Sequence, residues 1–144
     1  MSLRPSRRPG SVVLLDDDAD YLEKLARLLP RQRPIRLFQH PATFIQHLIL
    51  EQRLRECKCL PEPGLHDWAA VAVVDLALQG MDGLQVYSEL TGWAGTRLLL
   101  VDPTYERIAQ GAVTRGLIDR YLVKHDFKLV QRLADAIEDL IEKA

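Results

Sequence analysis

The sequence predicts an α/β fold, a (βα)5 doubly wound five-stranded parallel sheet, on three observations. Short apolar runs of strand length alternate five times with segments of helical periodicity. The run Ala69–Val74 is almost wholly apolar, and Arg97–Val101 reads as another buried strand; such runs suit strands covered on both faces. Three of the runs end on charged residues, at Asp16-Asp17, at Asp75 and at Lys124. Short right-handed βαβ connections then lead to a doubly wound sheet; in the expected strand order 2-1-3-4-5, strands one and three are neighbours.

Ser11–Leu15 is the first strand, ended abruptly by Asp16-Asp17-Asp18. From Asp18, expected as a helix cap, Leu22, Leu25 and Leu29 share one helical face until Pro30 and Pro34 stop it. Ile35–Phe38 is the second strand, and Pro41 opens a helix that turns Phe44, Ile45, Leu48 and Ile49 inward before fading into the polar segment Glu51–Lys58. Cys59–Asp67, with Pro61, Pro63 and Gly64, reads as a long loop. After the third strand, Gly83–Leu90 is a short helix; after the fourth, Pro103–Arg115 is helical. Arg120–Val123 is the fifth strand, and a last helix from about Asp126 lines up Val130, Leu133, Ile137 and Leu140.

With 144 residues, 47% of them hydrophobic and 27% charged, the chain suits one domain able to bury a core without disulfides or a structural metal. Residues 1–10, with Arg4, Arg7 and Arg8, read as a flexible basic tail, and 11–144 as the domain. The net charge of -1 gives no argument for nucleic acid or an anionic membrane. No apolar stretch is long enough to span a bilayer. Cys57 and Cys59, one residue apart, suit neither a local disulfide nor a zinc site, and an intracellular, reducing setting is the simpler inference.

In an open α/β sheet, ligands bind outside the carboxyl ends of the strands, where the strand order switches. The carboxylates of strands one and three converge there and repel unless a cation neutralises them; oxygen-only ligands favour hard Mg²⁺. Lys124 adds a point charge suited to phosphate.

Val12-Val13-Leu14-Leu15-Asp16-Asp17-Asp18, Val73-Val74-Asp75-Leu76 with Gly80-Met81-Asp82-Gly83, and Tyr121-Leu122-Val123-Lys124 resemble, in order and spacing, the signature blocks of bacterial two-component response-regulator receiver domains. The resemblance covers roughly residues 11–142 and implies a CheY-like, flavodoxin-like domain. It makes Asp75 the phosphoacceptor for a phosphohistidine donor on a sensor histidine kinase or histidine phosphotransfer protein. Mg²⁺ would be held by Asp17, Asp16, Asp75 and the backbone carbonyl of Ala77, with Lys124 binding the phosphoryl oxygens. Met81-Asp82-Gly83 would form the turn into the third helix. The implied protein is a cytoplasmic signalling module with an output partner or a homodimer. It does not bind nucleic acid directly, and it is an enzyme only toward its own phosphorylation and dephosphorylation.

The chain departs from the family pattern at the end of strand four, where a receiver carries Ser or Thr. Here Val101 or Asp102 stands at that place, and Thr104 comes two or three residues late. Asp102 reads more simply as a helix N-cap before Pro103. Gln79 stands where the family often has Pro, as does His125, and Tyr121 matches a ring that turns with activation. Two alternatives accompany the leading expectation. One is a degenerate receiver that only docks proteins. The other is a phosphatase of the haloacid-dehalogenase type using Asp16 and Asp18, which lacks a convincing late acidic pair and room for a cap.

Overall fold

The structure is a computed structural model and describes residues 10–57 and 68–143. The expected loop over 59–67 and all but the last residue of the expected tail lie outside that range. Gly10, assigned to the tail from sequence, is buried: its carbonyl accepts a bond from Arg33 Nη1, and a Cβ on it would stand 2.6 Å from that of Ala70.

Five strands, β1 (Ser11–Leu15), β2 (Ile35–Phe38), β3 (Ala69–Asp75), β4 (Thr96–Val101) and β5 (Arg120–Val123), form one sheet in the order β2-β1-β3-β4-β5. All pairs are parallel. The helices between and after them are α1 (Ala19–Leu28), α2 (Pro41–Cys57), α3 (Gly83–Glu89), α4 (Glu106–Thr114) and α5 (Leu129–Lys143).

Alternation along the central strands divides the core in two. Val13, Leu15, Leu99 and Val101 face α2, α3 and α4, packing on Phe44 and Leu48. Val12, Leu14, Leu98 and Leu100 face α1 and α5, packing on Leu22 and Leu133. Each such fully buried side chain contributes roughly 1.5–3 kcal/mol of burial free energy. Central strands covered on both faces explain why β3 and β4 read as continuous apolar runs.

The pairing of Leu15 with Val74, and of Asp75 with Leu100, sets the carboxyl ends of β1, β3 and β4 side by side. Two caps then fix the helices that leave those ends. Asp18 accepts the Tyr21 N–H at the start of α1, and Asp82 forms a reciprocal capping box with Gln85 at the start of α3. Gly83 has a steric reason to be glycine: a Cβ there would lie 2.6 Å from the Asp75 carbonyl oxygen. Met81-Asp82-Gly83 is therefore the turn expected from sequence, and it seats α3 directly behind the β3 end.

Four expectations need adjustment. The segment Pro103–Arg115 divides into a 3-10 turn, Pro103–Tyr105, followed by α4. α5 begins at Leu129, because the Asp126 side chain and carbonyl accept the Lys128 and Leu129 N–H groups in a separate turn. α2 continues to Cys57, through most of the polar segment expected to end it. Cys57 is disulfide-bonded, contrary to the expectation of reduced cysteines; position 59 lies outside the described residues. Among the described residues no helix is long and apolar enough to cross a membrane.

Candidate functional site

Asp16 and Asp75 sit at the carboxyl ends of adjacent strands and are the buried charged residues of the described chain, at 4% and 3% exposure. A buried carboxylate is costly unless paired, and Asp75 is paired twice. Lys124 Nζ donates to its Oδ2 at 2.7 Å, and the Ala77 N–H donates to its Oδ1 at 3.1 Å. Lys124 is brought there by β5, whose Val123 pairs with Val101, and by its own N–H on the Val101 carbonyl.

Asp16 is less well satisfied. Its Oδ1 accepts the Asp18 N–H, while Oδ2 is buried without a hydrogen-bond partner and lies 3.8 Å from Lys124 Nζ. Burial, with the Asp75 charge adding to it, pushes the Asp16 carboxyl up to about 7, against the Asp18 N–H bond and the Lys124 charge. Asp17 is exposed, and its Oδ2 accepts the Gln79 N–H at 2.9 Å across the gap between the β1 and β3 loops.

No protein-family model matches this sequence, and no curated protein sequence matches it. Solved structures do. The Legionella pneumophila response regulator LqsR is similar over 95% of this chain, with a TM-score of 0.82 and 26% identity. This chain spans 45% of LqsR. A response-regulator receiver domain from Clostridium thermocellum matches over 93% of this chain and 95% of its own, at TM-score 0.71 and 16% identity. The BeF3-activated DrrB receiver domain matches over 94% of this chain and 99% of its own, at TM-score 0.67 and 17% identity. The chain is a receiver domain of the CheY-like superfamily.

Within this receiver, Lys124 is enclosed by more than its two carboxylates: its ammonium lies 4.5 Å from the centroid of the Tyr21 ring. Burial lowers the Lys124 pKa, but the Asp75 hydrogen bond and the charges of Asp75 and Asp16 outweigh it and raise the net value, so the amine stays charged. The Tyr21 hydroxyl is itself buried without a hydrogen-bond partner. Sequence reasoning missed Tyr21. It stands three residues after the Asp18 cap and four before Leu25, so the helical stripe that gave the core also places it beside the strand ends.

The region that departs from the receiver pattern resolves as follows. Val101 is fully buried in the core on the α2, α3 and α4 face. Asp102 occupies the N-cap position before Pro103, as expected, but makes no side-chain cap bond. Its Oδ1 is instead 2.6 Å from His125 Nε2, a contact that joins the β4 and β5 loops. Thr104 is exposed. The Tyr121 hydroxyl donates to Glu106 at 2.8 Å and accepts from Gln110 at 3.2 Å, which fastens the ring to α4.

The residues fit a hard cation by their chemistry. The donors are carboxylate oxygens, one of them the buried, unpartnered Asp16 Oδ2, and a divalent ion would relieve the strain that raises the Asp16 pKa. As they stand, the three carboxylates do not close into a three-ligand group among the described residues. The Oδ2 of Asp17 is taken by the Gln79 N–H.

Proposed function

We propose that this receiver accepts a phosphoryl group on Asp75 from a phosphohistidine on a histidine kinase or phosphotransfer protein, in a phosphorelay. The observation that carries the proposal is the buried Asp75 carboxylate held between Lys124 Nζ at 2.7 Å and the Ala77 N–H at 3.1 Å. A carboxylate oxygen of Asp75 attacks phosphorus, the phosphorus–nitrogen bond of the donor breaks, and its electron pair stays on the imidazole, which then takes a proton from water. Lys124 balances the negative charge on the phosphoryl oxygens, a charge that Asp75 alone cannot carry in a buried site. The Ala77 N–H fixes the orientation of the carboxylate.

Asp16, Asp17, Asp75 and the Ala77 carbonyl would hold Mg²⁺, which supplies charge neutralisation and alignment of the incoming group. Catalysis is limited to the receiver's own phosphorylation and dephosphorylation, and the signal passes to a protein partner or a second copy. Histidine kinases present their phosphodonor in the cytoplasm, and we place the receiver there.

A second reading, a receiver that docks proteins without phosphorylation, is favoured by one observation. Val101 is buried in the core and Asp102 is engaged by His125, so no hydroxyl stands at the end of β4 to follow the phosphoryl group.

Beryllofluoride with Mg²⁺ separates the two. The expected result is a change in the amide spectrum of the wild type that Asp75→Asn abolishes. No change in the wild type leaves the docking module as the function.

A further inference from the structure

Between β3 and α3 the chain is fastened at alternate residues to carboxylates of two different strands. The Ala77 N–H lies on Asp75 Oδ1 at 3.1 Å, and the Gln79 N–H lies on Asp17 Oδ2 at 2.9 Å. The Gly83 N–H on the Leu76 carbonyl closes the far side at 2.9 Å. The carbonyl assigned to Mg²⁺ is that of Ala77, the first of these two attached residues. Only a residue with a backbone N–H can make the second attachment; proline at position 79 could not.

We infer that the Gln79 backbone N–H is a clamp that orients Asp17 and sets the Ala77 loop before Mg²⁺ arrives, making Gln79 a positioning residue for the metal. The inference rests on the magnesium-binding reading above. A carboxylate has two oxygens and about four lone-pair sites. Oδ2 on the Gln79 N–H leaves Oδ1 free for the ion, so the clamp and the metal do not compete for the same atom. Hydrogen bonds of this kind behind a ligand fix its orientation, and losing one typically costs about 10–100-fold in metal affinity. The bond joins the loops that leave β1 and β3, adding a tie between Asp17 and the Ala77 segment where strand pairing has already set the two ends side by side.

The test is a Mg²⁺ titration of the full chain followed by amide NMR. In the wild type the Gln79 amide is expected to stay protected from exchange through saturation. Gln79→Pro is expected to raise the Mg²⁺ dissociation constant about tenfold. Gln79→Ala, which keeps the N–H, is expected to bind Mg²⁺ more tightly than Gln79→Pro. Loss of protection at Gln79 when Mg²⁺ binds shows that the ion displaces the bond, and overturns the inference even if Gln79→Pro does not fold. Equal or tighter Mg²⁺ binding by folded Gln79→Pro also overturns it. A wild type that binds no Mg²⁺ overturns the magnesium reading itself, a distinct outcome visible before any variant is compared.

Discussion

Replacing Asp16 with Asn is expected to stabilise the metal-free protein at neutral and alkaline pH while removing most of its affinity for Mg²⁺. The Asp16 carboxyl is 4% exposed, its Oδ2 has no hydrogen-bond partner, and burial holds its pKa at about 7 against an ordinary 3.8. Between those two values the unfolded chain has lost the proton and the folded chain retains it. Above about pH 7 both are ionised, and the folded state carries the full penalty. Wild-type stability in chelator therefore falls as pH rises from about 4 to about 7 and then levels off. Asn does not titrate, so its advantage is small near pH 4 and greatest above pH 7, where a shift of this size corresponds to an upper value of about 4 kcal/mol. Added Mg²⁺ should reverse the order, because the ion stabilises the folded wild type by binding it. Denaturant titration at about pH 5 and about pH 8, with chelator and with Mg²⁺, checks each part. A variant less stable than wild type in chelator at about pH 8 contradicts the strained-carboxylate assignment.

Lys124→Met should reduce phosphorylation by a small-molecule phosphodonor by roughly 10²–10³-fold, the usual consequence of removing one preorganised electrostatic group. Methionine keeps an apolar stem for the Tyr21 ring to cover but lacks the ammonium that lies 2.7 Å from Asp75 Oδ2. The same change leaves two buried carboxylates without their counter-charge, and breaking such a pair costs roughly 3–5 kcal/mol where neither partner can take a proton. Because Asp16 can take one near neutral pH, the stability loss should be smaller in acid than in base. Single-turnover rates measured with Mg²⁺ saturating separate the chemical effect from metal binding. An unchanged rate removes Lys124 from the site.

The parts of the fold that periodicity controls were legible in the sequence. The bounds of β1, β2 and β5 coincide with the apolar runs that announced them, because a strand buried on one or both faces ends where a charge or proline must leave the core. The doubly wound sheet followed from the short βαβ connections, and the cap at Asp18 from local side-chain chemistry; Asp82 was read as part of the turn into α3, without its capping box. What escaped the sequence was set by partners distant in the chain. Asp102 has the residue type and the proline neighbour of an N-cap, but a histidine 23 positions later takes its carboxylate. The Asp17 carboxylate was expected to converge with Asp16 and Asp75, and a backbone N–H 62 positions away holds one of its oxygens; an amide proton has no signature in the sequence. The Tyr21 ring over Lys124 likewise depends on how α1 meets the end of β5.

The most direct measurement is the intact mass of the protein after incubation with acetyl phosphate and Mg²⁺. The expected result is one added phosphoryl group on the wild type, absent from Asp75→Asn and absent when a chelator replaces Mg²⁺. No added mass on the wild type, or an addition that persists in Asp75→Asn, contradicts the assignment of Asp75 as the phosphoacceptor.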